Sequence, residues 1–544
     1  MSHRKKTVSG NIVDVVNAET YPGRLKISDG KIVEISRGET SYETYIIPGF
    51  VDSHVHIESS MLTPSEFARA AVIHGTVAVV SDPHEVANVM GMDGVKYMIE
   101  DGKTVPMKFY FSAPSCVPAT PFETSGAVLD AEGVDELLKL DDIRYLGEVM
   151  NYPGVIYNDP EVMKKIASAK KHSKLIDGHA PGLRGSDLTT YVRAGISTNH
   201  EFLSKEEALE DIQAGMKILI RKGSAADIFE ECIPLLKKYP ESCMLCADDK
   251  HPDDLLKGYL NDMVRQALTY GIDIMKILRV ASVNPVLHYG LDVGLLRVGD
   301  PADFLEIDSL DNVRVLKTYI NGEVVAEEGA SLIPKRQPRI LNNFNTKKKT
   351  TDDFALPSSA GMANIIGALD GRLITEKLIE HPRIENGCAV SDVDRDILKI
   401  TVVNRYRDSQ PAVGFIQNFN LTHGAIASSV AHDSHNIIAI GVTDEDLCRA
   451  VNLIIDTKGG ICAVSGDQEK ILPLPIAGIM SDKDCETVAA DYTAVDAMAK
   501  SMGSKLRAPF MTLSFMALPV IPKLKLTDRG LFDGEKFEFI DLFE

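Results

Sequence analysis

Between Tyr45 and Asp249 the chain alternates short apolar runs with polar, helix-like stretches. The runs are Tyr45–His56, Val77–His84, Lys108–Cys116, Tyr145–Asn151, Leu175–His179, Ile196–His200, Met216–Ser224 and Cys243–Asp249, and each closes on a polar or reactive residue. The stretches between them carry helix signals. Thr63-Pro64-Ser65-Glu66 offers an N-cap, a proline at the first helical position and a capping-box acid, with Gly75 as a stop; Ser204, Glu207 and Gly215 repeat the scheme. Strand and helix recurring every 20 to 35 residues or so predict βα units. Eight such runs predict an α/β chain with a closed (β/α)8 barrel, whose chemistry sits at the C-terminal ends of its strands.

The flanks have a different pattern. Asn11–Val16, Arg24–Ile27 and Lys31–Ile35 are β-rich pieces broken by Gly and Asp. Asp303–Ile307, Val313–Ile320 and Glu323–Ala326, with an Asn321-Gly322 turn, read the same way far downstream. The simplest organisation is one small β domain made from residues 1–48 and 296–345, with the barrel, 49–295, inserted in it. Residues 346–353, which include Lys347-Lys348-Lys349, predict a solvated linker. Residues 354–544 predict a mixed α+β domain in which Leu398–Val403 is a strand and Glu445–Thr457 a helix.

Composition narrows the function. Of 544 residues, 44% are hydrophobic and 25% charged, which excludes a mostly disordered chain. A net charge of -20 disfavours nucleic acid as a partner. No apolar run approaches the ~18 residues of a membrane span, and Met1–Gly10 lacks the apolar stretch of a signal peptide, so the expected compartment is the cytoplasm. The eight cysteines are scattered and expected to be reduced. Cys243 and Cys246 form a C-x-x-C with no second pair, in a strand-like segment where positions three apart face opposite sides, so a zinc site is not expected there.

The strand ends carry the chemistry. His54 and His56 lie on one face of a strand, Glu148 near the end of the fourth run, His179 and His200 at the ends of the fifth and sixth, and Asp248-Asp249 at the eighth. Imidazoles and carboxylates converging on one rim suit divalent transition metals. They are more ligands than one ion takes from protein, and they fit two cations bridged by a carboxylate, with an activated water between.

Pro48-Gly49-Phe50-Val51-Asp52-Ser53-His54-Val55-His56, and the passage from Ala281-Ser282-Val283-Asn284-Pro285 to Gly299-Asp300-Pro301-Ala302-Asp303, resemble the amidohydrolase superfamily. His56-Ile57-Glu58-Ser59-Ser60-Met61, Ser81-Asp82-Pro83-His84-Glu85, Gly147-Glu148-Val149-Met150-Asn151, Asp177-Gly178-His179-Ala180-Pro181, Ala247-Asp248-Asp249 and the segment from His423 to Asp433 are similar to the adenine deaminase family within it. Members with a carboxylated bridging lysine on the fourth strand are a poorer match, because Tyr145–Asn151 has no lysine and offers Glu148. The unrelated H-x-E, P-C-x-x-C deaminases are poorer still, since Cys243 follows Ser242.

The resemblance implies hydrolysis of adenine at C6 to hypoxanthine and ammonia, in purine salvage, by water activated between two divalent ions. Mn2+ or Fe2+ is favoured and Zn2+ acceptable. It implies His54 and His56 on one ion, His179 and His200 on the other, Glu148 bridging, and Asp248 as ligand and general base. Asp249 is either an acid behind the ligands or a surface residue. His84 is expected to shuttle a proton, oriented by Asp82 or Glu85. Arg221 and Ser224 either hold a ring nitrogen or form an ion pair at the rim. His423, Ser428, Ser429, His432, Asp433 and His435 cluster in a segment suited to a lid or a subunit contact; a hydrolase triad is not expected, because no G-x-S-x-G accompanies them. The alternatives are another amidohydrolase acting on a cyclic amide or a different amino-heterocycle, and a non-catalytic barrel. A homodimer is the default assembly.

Overall fold

The computed structural model describes residues 5–224, 227–357 and 361–544; residues 1–4 of the basic N-terminal segment lie outside them. The first apolar run divides in two. Tyr45–Pro48 joins an outer sheet, and Phe50–Val55 becomes the first barrel strand. Gly49 sits at the divide, where a Cβ would fall 2.5 Å from the Val77 side chain of the next barrel strand.

The outer sheet has eight strands drawn from both flanks. Tyr45–Pro48 pairs parallel with Lys6–Asp14 on one side and antiparallel with Phe304–Ile307 on the other. The hairpin predicted at Asn321-Gly322 joins Val315–Ile320 to Glu323–Glu327. Ile12, Leu25, Ile27, Ile46 and Phe304 form this sheet's own core, with Phe304 and Tyr319 stacked 4.3 Å apart.

The barrel strands are Phe50–Val55, Thr76–Ser81, Lys108–Ala113, Ile143–Val149, Leu175–Gly178, Thr198–Asn199, Lys217–Arg221 and Cys243–Cys246. They form a five-stranded and a three-stranded parallel sheet. The two meet at both seams. Ser197 N–H donates to the Ile176 carbonyl (3.0 Å), and Asp248 N–H to that of His54 (3.0 Å). The second seam puts the end of the last strand beside the end of the first. The barrel is plugged below by Asp52 and Asp177, which accept hydrogen bonds from the hydroxyls of Tyr259 and Tyr289.

Residues 332–350 run without regular structure from the outer sheet to the C-terminal domain. The end of this stretch is not solvated as expected. Lys349 is buried, its ammonium 2.7 Å from Asp408 and its N–H on Asn452 (2.8 Å), so the connection is strapped down where it enters the domain. The domain is built on an eight-stranded mixed sheet containing Ile397–Val403, with helix Asp444–Thr457 against it. A second helix, Cys485–Ser501, lies between that sheet and the barrel.

This contact explains one departure from the capping expectations, and a contact within the barrel explains another. Helix Pro64–Val72 follows the first barrel strand, and all nine of its residues are buried, an unusual state for a barrel helix. Its Glu66 does not close a capping box; the carboxylate accepts from Arg69 (3.1 Å) and from Cys485 N–H (3.3 Å) of the covering helix. Ser204 does cap its helix through Glu207 N–H (3.3 Å), but the Glu207 carboxylate accepts from Gly182 and Leu203 instead of returning to Ser204.

Candidate functional site

The C-terminal ends of the barrel strands bring His54, His56, Glu148, His179, His200 and Asp248 together, all of them buried. The order inside the cluster is informative. Glu148 turns Oε2 to His179 Nδ1 (2.7 Å) and His200 Nε2 (3.2 Å), and Oε1 to His56 Nε2 (3.2 Å) and His54 Nε2 (3.7 Å). Asp248 Oδ1 lies 3.1 Å from His56 Nε2. One carboxylate therefore divides its oxygens between two pairs of imidazoles, and a second faces only the first pair. His54 Nε2 and His56 Nε2 stand 3.1 Å apart, and the Nδ1 atoms of His54 and His200 are buried with no hydrogen-bond partner.

The electrostatics fit cation binding. Burial alone would raise the carboxyl of Glu148, but His200 and His179 outweigh it and hold the group well below its ordinary range; Arg221 and His56 do the same for Asp248. Burial, reinforced by His200, holds His54 well below its ordinary value, so it is neutral. Ionised carboxylates and a neutral His54 are the protonation states that metal ligands need, whereas burial is outweighed by Asp248 and Glu148 at His56, and by Glu148 at His179, and both imidazoles are raised. Buried imidazole nitrogens pointing at one another, with no acceptor between, are the arrangement a cation resolves. The donor set fits two divalent ions.

The other expected residues divide into near and far. His84 lies against the cluster, with Nδ1 3.5 Å from Glu148 Oε1 and 3.6 Å from Asp82 Oδ2. Asp82 sits beneath, accepting from Glu148 N–H (3.0 Å) and Ser112 (2.7 Å). Asp249 points into the same cavity and accepts from Ser59 (2.5 Å), so it is no surface residue. The Nη1 of Arg221 pairs with both Asp248 and Glu201, so its charge is engaged at the rim. Ser224 is apart. Its hydroxyl donates to Asp254 (2.8 Å) and accepts from His251 N–H (2.9 Å), and it lines a separate cleft of about 420 Å³.

Glu85 has a different partner from the one expected. Both of its oxygens are taken by the C-terminal domain, Oε1 by His432 Nδ1 and Oε2 by His435 Nε2 (2.6 Å). His84 Nε2 stays 3.4 Å from Oε1. Of the C-terminal cluster, His432 and Asp433 line the cavity, Ser428 and Ser429 brace the loop behind them, and His423 is exposed at the far end of the preceding strand. Leu373, Phe515, Leu518 and Ile521 complete an apolar wall of a narrow cavity of about 30 Å³. These wall residues and Glu201 were missed from sequence. Only the His/Ser/Asp cluster gave a signal, as a lid or a subunit contact, and His432 and Asp433 of it line the cavity.

Family models and relatives name the family that the sequence resembles. Residues 45–325 match the amidohydrolase family, and residues 372–538 match the adenine deaminase C-terminal domain. Among curated relatives, an adenine deaminase of Methanosarcina mazei is 52% identical over 99% of both chains. One of Sulfurovum sp. is 55% identical over 98% of this chain and 99% of its own. One of Salinibacter ruber is 52% identical over 99% of both.

Proposed function

The chain belongs to the adenine deaminase family of the amidohydrolases, and from that premise we propose how its residues divide the work of hydrolysing adenine to hypoxanthine and ammonia. The observation that carries the reading is the split of Glu148 between the His54–His56 and His179–His200 pairs. Glu148 would serve both ions, His54, His56 and Asp248 would hold the first of them, and His179 and His200 the other. Bound divalent ions supply a water whose pKa falls from about 16 toward 7.

Every other step belongs to side chains. Asp248, kept ionised by Arg221, accepts the proton of the attacking water. As the C6–O bond forms, electron density moves onto N1, which takes up one proton; as the C6–N6 bond breaks the amine takes a second and leaves as ammonia, while the new C6 hydroxyl loses its remaining proton to leave the C6=O and N1–H of hypoxanthine. His84, between Glu148 and the C-terminal wall, delivers the proton that the amine takes. Asp249, held by Ser59, orients the mouth of the first metal position. Ser224 has no part, because it faces another cleft.

Imidazole and carboxylate ligands favour Mn2+ or Fe2+ and accept Zn2+. Among the described residues no helix is long and apolar enough to cross a membrane, and all eight cysteines are free.

The test is ammonia release from adenine by protein loaded separately with manganese, iron and zinc, with EDTA-treated and adenosine controls. Metal-dependent release from adenine and none from adenosine is expected. No release from protein shown to hold two ions per chain would discard adenine and direct the screen to cyclic amides and other amino-heterocycles.

A further inference from the structure

Two polar atoms in the cavity wall have nothing to bind. His432 Nε2 and Asp433 Oδ2 are both buried and lack a hydrogen-bond partner. They come from consecutive residues of the C-terminal domain and line the same cavity as His56, His84 and Glu148. A buried polar group without a partner costs about 1–3 kcal/mol, so two side by side at a metal-binding rim call for an occupant.

The loop that carries them is held rigidly. His435 Nδ1 accepts from Ala431 N–H (3.2 Å), so its proton is on Nε2 and is donated to Glu85 (2.6 Å). That tautomer also argues against a third metal among Glu85, His432 and His435, because Nε2 of His435 has no free lone pair. His432 gives Nδ1–H to the other oxygen of Glu85, and its ring lies flat on Phe515, with centroids 4.4 Å apart and planes at 10°. One nitrogen clamped and one face stacked leave Nε2 a single direction. Burial alone would lower this imidazole, but Glu85 and Asp249 outweigh it and push it up to about 9, so Nε2 carries a proton to donate. Asp433 Oδ2 lies 3.9 Å from His84 Nε2, beyond hydrogen-bond reach and beside the group that delivers the proton; burial pushes its carboxyl up to about 7, so it is an ionised acceptor above that pH.

A donor next to an acceptor is the complement of an amidine edge, a ring nitrogen beside an N–H. We propose that His432 and Asp433 read the edge of the purine at the reacting carbon, His432 Nε2–H donating to a ring nitrogen that flanks C6 and Asp433 accepting from the exocyclic amino group. The inference rests on adenine as the substrate. It makes the C-terminal domain part of the active site, with Leu373, Leu518 and Ile521 as the apolar surroundings of the flat base.

The experiment measures inhibition constants of purine, 1-deazaadenine and 7-deazaadenine beside the KM for adenine, in the metal-loaded wild type, His432→Asn and Asp433→Asn. Asparagine at 432 keeps a donor for Glu85 and removes Nε2; asparagine at 433 keeps the shape and replaces the acceptor in part with a donor. Both variants should hold two ions per chain and melt near the wild type. The KM for adenine should rise by about tenfold to a hundredfold, as loss of a hydrogen bond to a charged group implies. Asp433→Asn should erase the preference for adenine over purine, which lacks the amino group. His432→Asn should erase the preference over one deaza analogue and leave the other unchanged. Wild-type ratios across the whole set, in variants with full metal, would overturn the proposal while leaving adenine hydrolysis standing. A wild type that releases no ammonia from adenine would instead overturn the functional reading on which it rests. If a variant loses its metal or melts early, His432→Gln and Asp433→Ser provide the same comparison, and wild-type ratios there count equally against it.

Discussion

Glu148 shows how much one side chain can decide. Its two oxygens face two imidazole pairs, so Glu148→Gln should leave the melting temperature within a few degrees while reducing kcat more than about 100-fold and lowering bound metal below two ions per chain. Metal analysis and ammonia release on the same sample check it, and an unchanged rate at full occupancy would remove the bridging role. Lys525 makes a separate prediction away from the metals. It is fully buried, donates to the carbonyls of Leu373 (2.7 Å) and Phe515 (2.9 Å), and burial pushes it down to about 7. The folded chain then holds fewer protons than the unfolded one between about 7 and the ordinary lysine value, so this group makes stability rise with pH across that window, and its burial penalty is full below it. Melting curves from pH 6 to 10 or so should be flatter for Lys525→Met than for the wild type; parallel curves would refute the assignment. The metal cluster was legible in the sequence because each member ends a strand, and strand ends of a barrel converge by topology. His432 and Asp433 were visible only as part of a segment suited to a lid or a subunit contact, since nothing local says that a loop so far along the chain meets Glu85.

At the scale of elements, expectations succeeded where one strand or helix decides its own fate and failed where another element intervenes. Helix Asp444–Thr457 and strand Ile397–Val403 fall within a residue of their expected starts. Helix Pro64–Val72 kept its proline but lost its capping box, because the helix Cys485–Ser501 that covers it draws Glu66 away. Glu66 and Arg69 are thus a buried ion pair, each with a further partner, Cys485 N–H for Glu66 and the Ile333 carbonyl for Arg69. Arg69→Met should destabilise the chain by about 3–5 kcal/mol, and adding Glu66→Leu should recover most of it. Denaturant titration of the two variants decides, and equal losses in both would show that the pair matters by shape alone. Lys349 has the same lesson: a basic run reads as solvated until a domain supplies Asp408 for one of its members.

At the scale of the molecule, the barrel and the C-terminal domain share a core and an active site. A chain ending at residue 345 should expose the helix Pro64–Val72, bind hydrophobic dyes and precipitate, and a soluble, active truncation would contradict the joint site. The inserted-barrel organisation was readable from sequence because both flanks carry the same strand pattern, whereas the domain contact was not, since it depends on surfaces that are apolar only in patches. The narrow cavity has a consequence for turnover. About 30 Å³ holds a water or two, well short of a purine, so its walls must part to seat the base. Catalytic throughput then has a mechanical component: friction with the solvent, raised with glycerol or sucrose, should slow kcat in proportion to viscosity wherever opening outlasts the bond-breaking step.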